Sequence, residues 1–187
     1  MKISVIGTGY LGATHATCLA AMGFDVIGID LDARKVEQLN NGKLPFYEPG
    51  LPELLSEQIK GGKLKFSTNF ADVKDCDVHF VCVGTPQQRD SFAADLTYLI
   101  SAVTELSKYL KIDSLVVGKS TVPVGTAEKI AAMLPNELAW NPEFLREGFA
   151  VEDTLHPNRI VVGVKSDRAE EILKKVYRKN LEENTPW

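Results

Sequence analysis

An α/β fold with a doubly wound, mostly parallel sheet and helices on both faces is what the sequence predicts. Short runs dominated by valine and isoleucine alternate with longer amphipathic segments from residue 2 to residue 177, the pattern of strands joined by crossover helices. Within those runs the apolar residues are nearly continuous, as in strands covered on both faces. Small, polar and acidic residues collect just after several of the runs. In an open parallel sheet that edge, outside the carboxyl ends of the strands, is where ligands bind.

Each element has its own reason. KISVIG (2–7) is an apolar strand closed by glycine, and LGATHATCLAAM (11–22) is a helix stopped by Gly23. DVIGID (25–30) is the second strand. DARKVEQLNNG follows as a helix with Asp32 as N-cap and Gly42 as stop. LPELLSEQIKGG reads as a helix, LKFST as a short strand and NFADVKDC as a short helix or turn. DVHFVCVG (77–84) is a strongly apolar strand before the long helix 95–110. SLVVGKS (114–120), the helix 124–134, the strand ELAW, a further strand RIVVGV (159–164) and the helix 167–177 complete the chain. KLPFYEPG and GTPQQRDSF are the irregular segments. The whole of 1–187 reads as one domain.

With 44% hydrophobic and 25% charged residues the composition is that of an ordinary globular domain. The net charge of −4 offers nothing to nucleic acid or to an anionic membrane. The basic run KKVYRK (174–179) is read as the solvated face of a terminal helix. Met1 leads directly into a strand without signal-peptide layout, and no apolar stretch reaches membrane-spanning length. Cys18, Cys76 and Cys82 are odd in number and lack C-x-x-C spacing, which disfavours disulfides and zinc. His15, His79 and His156 lie far apart, so no metal site is expected, and a cytoplasmic location is.

The first strand runs into Gly7-Thr8-Gly9-Tyr10-Leu11-Gly12, a G-x-G-x-x-G turn between strand and helix. Asp30 ends the next strand, so the β-α-β context is the dinucleotide-binding, Rossmann-like one. Gly7 allows the tight turn, Gly9 lets the backbone approach a pyrophosphate, and Gly12 lets helix and strand pack closely. The helix N-terminus offers free N–H groups to phosphate. Asp30 is placed to accept ribose hydroxyls and to repel a 2′-phosphate, favouring NAD over NADP. Arg34 and Lys35 nearby temper that preference.

Further loops converge on the same edge: Val83-Gly84-Thr85-Pro86 after one strand, Ser120-Thr121-Val122-Pro123 after another, and Asn141-Pro142-Glu143 after ELAW. They predict one extended site with Thr85 and Thr121 as hydroxyl contacts, although Ser120 or Thr121 could equally cap a helix. In NPEFLREG (141–148), a helical conformation would set Glu143 and Glu147 on one face, one turn apart. The alternative is that Glu143 caps a helix start and Glu147 pairs with a nearby cation.

GTGYLG (7–12), FYEPGL (46–51), VGTP (83–86), STVPVGT (120–126), NPEFLREG (141–148) and HPNRIVVG (156–163) resemble, in order and spacing, the nucleotide-sugar 6-dehydrogenases of the UDP-glucose/GDP-mannose dehydrogenase family. The UDP-glucose members match best, and the GDP-mannose and UDP-N-acetylmannosamine members share much of the pattern. The resemblance implies oxidation of a sugar primary alcohol to a carboxylate with two NAD, through a cysteine thioester that water hydrolyses. It implies cofactor contacts from Gly7 to Gly12, Asp30, Lys35, the Val83–Pro86 loop, Ser120 or Thr121, and Glu147. It places Glu143, Phe144, Leu145, Arg146 and Glu147 against the UDP-sugar substrate. Glu143 and Glu147 take acid–base or water-positioning roles, with Thr121 helping to hold the water. Two close carboxylates hold a proton more tightly than one, which suits a base beside a water.

The family's nucleophilic cysteine, its central helix and its C-terminal sugar-binding domain lie later in the chain than Trp187. Cys18, Cys76 and Cys82 read as small buried hydrophobes rather than activated thiols. The chain alone is therefore expected to bind NAD without turnover, and the full-length family member to be a homodimer or larger. The other readings are a different nucleotide-sugar or hydroxy-acid dehydrogenase and a stand-alone NAD-sensing or protein-interaction module without catalysis.

Overall fold

A computed structural model describes residues 1–187. Six parallel strands, β1 (Lys2–Ile6), β2 (Asp25–Ile29), β3 (Leu64–Ser67), β4 (Val78–Val81), β5 (Leu115–Gly118) and β6 (Leu138–Trp140), form one sheet in the order β3-β2-β1-β4-β5-β6. Every neighbouring pair is parallel. This is the doubly wound order in which the chain direction reverses beside β1, and the crevice there is the expected ligand position.

Successive side chains of a strand point to opposite faces, so each face has its own core. On one face Ile3, Val5, Phe80 and Val117 pack with α1 (Tyr10–Ala21), α2 (Ala33–Asn40), α3 (Leu51–Lys60) and α7 (Asp167–Val176). On the other, Ile6, Ile29, Val81 and Val116 pack with α4 (Thr97–Leu106) and α5 (Thr126–Ala131). α1 is buried continuously from Gly12 to Ala20, which its small residues permit. Asp32 caps α2 through the N–H groups of Arg34 and Lys35, as its position predicts. No helix is long and apolar enough to cross a membrane.

The segment 159–164 is not a strand. Only Gly163 meets the sheet, through an antiparallel bridge to Trp140 with N–H···O distances of 2.8 and 2.7 Å. Two further main-chain groups bond elsewhere: the Asn141 side-chain amide donates to the Val161 carbonyl, and the Ile160 N–H donates to the Pro186 carbonyl. Those bonds divert Ile160 and Val161 from pairing with β6. Two short helices, α6 (Ala150–Leu155) and α8 (Arg178–Glu182), appear where none is expected, and the predicted helix 124–134 is helical only over Thr126–Ala131. The basic run straddles the α7–α8 junction, with its lysines and arginine exposed and Val176 and Tyr177 buried.

His79 on β4 is fully buried, accepts or donates a 2.7 Å hydrogen bond with the Ser4 hydroxyl, and leaves its Nε2 without a partner. Burial lowers its pKa to about 4. Between that value and the ordinary 6.5, the unfolded chain binds a proton that the folded chain does not, so stability falls as pH falls through this window. The expected loss is up to about 3 kcal/mol. Urea unfolding at a series of pH values checks it: a His79→Gln variant, which retains a partner for Ser4, should lose less stability than wild type between neutrality and the carboxylate range.

Candidate functional site

The cofactor side is built around the first turn. Gly7 has φ +86°, a conformation that a side chain disfavours, and its N–H is tied to the Ile29 carbonyl at 2.8 Å. A Cβ on Gly12 would stand 1.8 Å from the Gly7 carbonyl oxygen, so helix and strand meet only because Gly12 has none. A Cβ on Gly9 would meet nothing within 4 Å, and α1 starts with no side-chain cap. The first N–H groups of α1 therefore face an open cradle, which fits a pyrophosphate.

Asp30 is fixed from several sides. Its Oδ2 accepts from the Thr8 N–H at 2.9 Å, the Thr8 hydroxyl at 3.0 Å and the Lys35 ammonium at 2.8 Å, while Oδ1 accepts only from the Asp32 N–H at 3.1 Å. Burial raises the pKa of this carboxyl, but the Lys35 ammonium and the N–H donors outweigh burial and hold it below the usual range. Oδ1 retains acceptor capacity for a hydroxyl. Thr8, itself fully buried, thus holds Asp30 rather than a ligand, and Lys35 neutralises it.

Gly7, Gly9, Asp30, Lys35, Val83, Gly84 and Pro86 line one cleft of about 680 Å³, a size that suits a cofactor. Leu31 and Tyr98, both exposed, complete an apolar wall that the sequence reading missed. The signal was available: Tyr98, Ala102 and Glu105 share one face of α4 at helical spacing. Thr85 and Ser120 play a different part. The Thr85 hydroxyl donates to the Thr121 carbonyl at 2.6 Å, and the buried Ser120 hydroxyl donates to the Val83 carbonyl at 2.6 Å. They stitch the two loops together and cap no helix. Thr121 itself is exposed.

NPEFLREG is not helical. It is an irregular loop between β6 and α6, with Gly148 at φ +84°. Glu143 and Glu147 therefore do not stack one turn apart. The Glu143 carboxylate accepts from the N–H of Leu145, two residues on, closing a local turn. Glu147 is exposed and its carboxylate has no ion-pair partner. The loop is nevertheless pinned along its length. At its start, Asn141 Oδ1 accepts from the buried Lys119 ammonium at 3.0 Å and from the Tyr177 hydroxyl at 2.5 Å. In its middle, Arg146 forms a two-pronged ion pair with Asp153. At its end, Glu48 accepts from the N–H groups of Gly148 and Ala150.

Phe144, Leu145 and Arg146 line a second cavity of about 260 Å³ with Lys119, Asn141 and Arg159. The single extended site expected from the sequence is thus two cavities, and Glu147 lines neither of them. Burial lowers the pKa of Lys119, a buried cation that the sequence reading did not single out. The thiols are remote from reactivity: burial pushes Cys18 to about 12, Cys76 to about 11 and Cys82 to about 12.

Residues 1–181 match the model of the UDP-glucose/GDP-mannose dehydrogenase family, NAD binding domain. The chain is 40% identical to a UDP-glucose 6-dehydrogenase of Rhizobium meliloti over 95% of its own length and 43% of that protein's. Among solved structures it is similar to a UDP-glucose dehydrogenase from the archaeon Pyrobaculum islandicum, with TM-score 0.89 and 39% identity over 95% of this chain and 44% of that one. It is also similar to a GDP-mannose dehydrogenase from Pseudomonas aeruginosa, with TM-score 0.87 and 35% identity over 96% of this chain and 44% of that one. The chain thus spans less than half the length of these relatives. A glycine turn open to phosphate, a fixed acid at the end of β2 and a family match over almost every residue agree: this chain belongs to the UDP-glucose/GDP-mannose dehydrogenase family, as its NAD binding domain.

Proposed function

We propose that this chain is the NAD-binding part of a UDP-glucose 6-dehydrogenase, which oxidises the sugar's primary alcohol to a carboxylate with two NAD per turnover through a cysteine thioester. When bound, NAD supplies the hydride acceptor. The observation that supports the reading is the pairing of the open Gly7–Gly12 turn with Asp30, whose Oδ1 accepts one hydrogen bond and keeps acceptor capacity for a ribose hydroxyl. UDP-glucose is favoured over GDP-mannose because identity is higher to the UDP-glucose enzymes, 40% and 39% against 35%.

In this reading the first N–H groups of α1 hold the pyrophosphate, and Leu31 and Tyr98 offer the cofactor an apolar wall. Glu147, unpaired and exposed, is the group free to take a proton from water. Glu143 is oriented by its own turn, and Thr121 helps hold the water. Phe144, Leu145 and Arg146 form a wall against the sugar. The nucleophile is a cysteine outside this chain, because Cys18, Cys76 and Cys82 are all buried. Calorimetric titration of the 187-residue chain with NAD and UDP-glucose, with NADH absorbance followed in parallel, tests this. NAD binding without NADH formation is expected; NADH formation from UDP-glucose by this chain alone would sink the assignment of the nucleophile.

A further inference from the structure

Glu48 is the one carboxylate in the fully buried set, at 0% exposure, and it joins three distant parts of the chain. It sits in the FYEPG loop before α3. One oxygen, Oε2, accepts from the Tyr10 hydroxyl and from the Gly148 N–H at 2.9 Å. The other, Oε1, accepts from the Ala150 N–H at 2.8 Å. The Tyr10 hydroxyl also accepts from the Gly148 N–H at 3.3 Å. Phe46 packs edge-on against the Tyr10 ring at a centroid distance of 5.0 Å, which fixes the ring that presents the hydroxyl.

The placement of these partners gives the cluster its meaning. Tyr10 belongs to the G-x-G-x-x-G turn and is the first residue of α1. Gly148 directly follows Glu147, and Ala150 opens α6. A buried carboxylate needs several donors to be tolerated at all, and here the donors come from the dinucleotide turn on one side and from the Glu147 loop on the other. Arg146, the residue before Glu147, is held separately by Asp153. Glu147 itself is exposed between two fixed neighbours.

From this geometry we infer that Glu48 is a positioning residue that couples the cofactor turn, through Tyr10, to the backbone beside Glu147. The inference rests on the NAD-binding reading above. A ligand seated at the α1 N-terminus restrains Tyr10; Tyr10 restrains Glu48; and Glu48 sets where the Gly148–Ala150 main chain, and so Glu147, stands. No dinucleotide contact to Glu48 is required. Coupling of this kind is reciprocal and is read as a change at one end when the other is occupied.

Residue-resolved amide exchange by NMR, on the 187-residue chain free and at saturating NAD, tests the inference. Working at saturation removes any change of affinity from the comparison. In wild type, NAD should slow exchange at Gly148 and Ala150 by about tenfold or more; in Glu48→Gln, where an amide group faces two N–H donors, the slowing should fall to about twofold or less. Unchanged exchange at Val5 and Val117 shows that the variant is folded. If Glu48→Gln does not fold, Tyr10→Phe, which removes only the hydroxyl, carries the test with the same expected loss. NAD binding that leaves Gly148 and Ala150 unmoved in wild type, or full wild-type slowing in Tyr10→Phe, overturns the inference alone. No NAD binding in calorimetry of the same sample overturns the cofactor reading and the inference together.

Discussion

Replacing Gly12 by alanine is expected to destabilise the chain by about 3 kcal/mol or more and to abolish measurable NAD binding. The added Cβ would lie 1.8 Å from the Gly7 carbonyl oxygen, 2.9 Å from its carbon and 3.2 Å from Cys82 Cβ. Two of these are backbone atoms, which cannot rotate away. Gly7 is itself constrained at φ +86° and by its bond to Ile29, so relief must come from moving α1. That helix is buried from Gly12 to Ala20, so the movement spreads into the core. Gly9→Ala separates the two effects. Its φ of −69° suits alanine and nothing lies within 4 Å, so its stability should stay within about 0.5 kcal/mol of wild type, while the methyl group enters the space offered to the pyrophosphate and weakens NAD binding. Urea midpoints and calorimetry on both variants read stability and affinity independently.

Asn141→Ala is expected to cost about 3 to 5 kcal/mol, a penalty out of proportion to one amide side chain. Asn141 Oδ1 accepts hydrogen bonds from the Lys119 ammonium and from the Tyr177 hydroxyl, and its Nδ2 donates to Val161. Its removal leaves a buried cation, a buried hydroxyl and a carbonyl unpartnered. The penalty also has a pH signature. Burial lowers the Lys119 pKa in the folded chain, so above that folded value the unfolded state binds the extra proton and stability rises with pH, up to the unfolded lysine value of about 10.4. Losing Asn141 lowers the folded value further, so the deficit should shrink as pH is raised through the alkaline range. A Lys119→Met, Asn141→Leu double variant should recover most of the loss, and a double-mutant cycle measures the coupling.

These residues also mark where sequence reading stops. The sheet was legible because each strand is a continuous apolar run, and the cofactor turn because the spacing of Gly7, Gly9 and Gly12 has one mechanical meaning. RIVVGV has the same apolar content as the true strands, yet its hydrogen bonds go to Asn141 and Pro186, a competition that only the fold reveals. NPEFLREG permits a helix by composition, but Pro142 lacks an N–H, Glu143 takes the Leu145 N–H for itself, and Gly148 turns left-handed. Glu48 stands among turn residues in FYEPG and has partners some 100 residues away in sequence, beyond any local pattern. Lys119 stands near the end of the apolar run SLVVGKS, and nothing local shows that its ammonium is buried against Asn141. Glu48 and Lys119 were missed because their roles are long-range hydrogen bonds. Gly7, Gly9 and Gly12 were found because their roles are local geometry.

The most direct test of the account is the ratio of NAD to NADP affinity in wild type and in Asp30→Ser, measured by calorimetry under one set of buffer conditions. Asp30 is held by Thr8, Asp32 and Lys35 and lines the cleft, so wild type should prefer NAD by about tenfold or more, and the serine variant should lose most of that preference. Equal affinity for the two cofactors in wild type, or an unchanged ratio in Asp30→Ser, would contradict the role given to the acid at the end of β2.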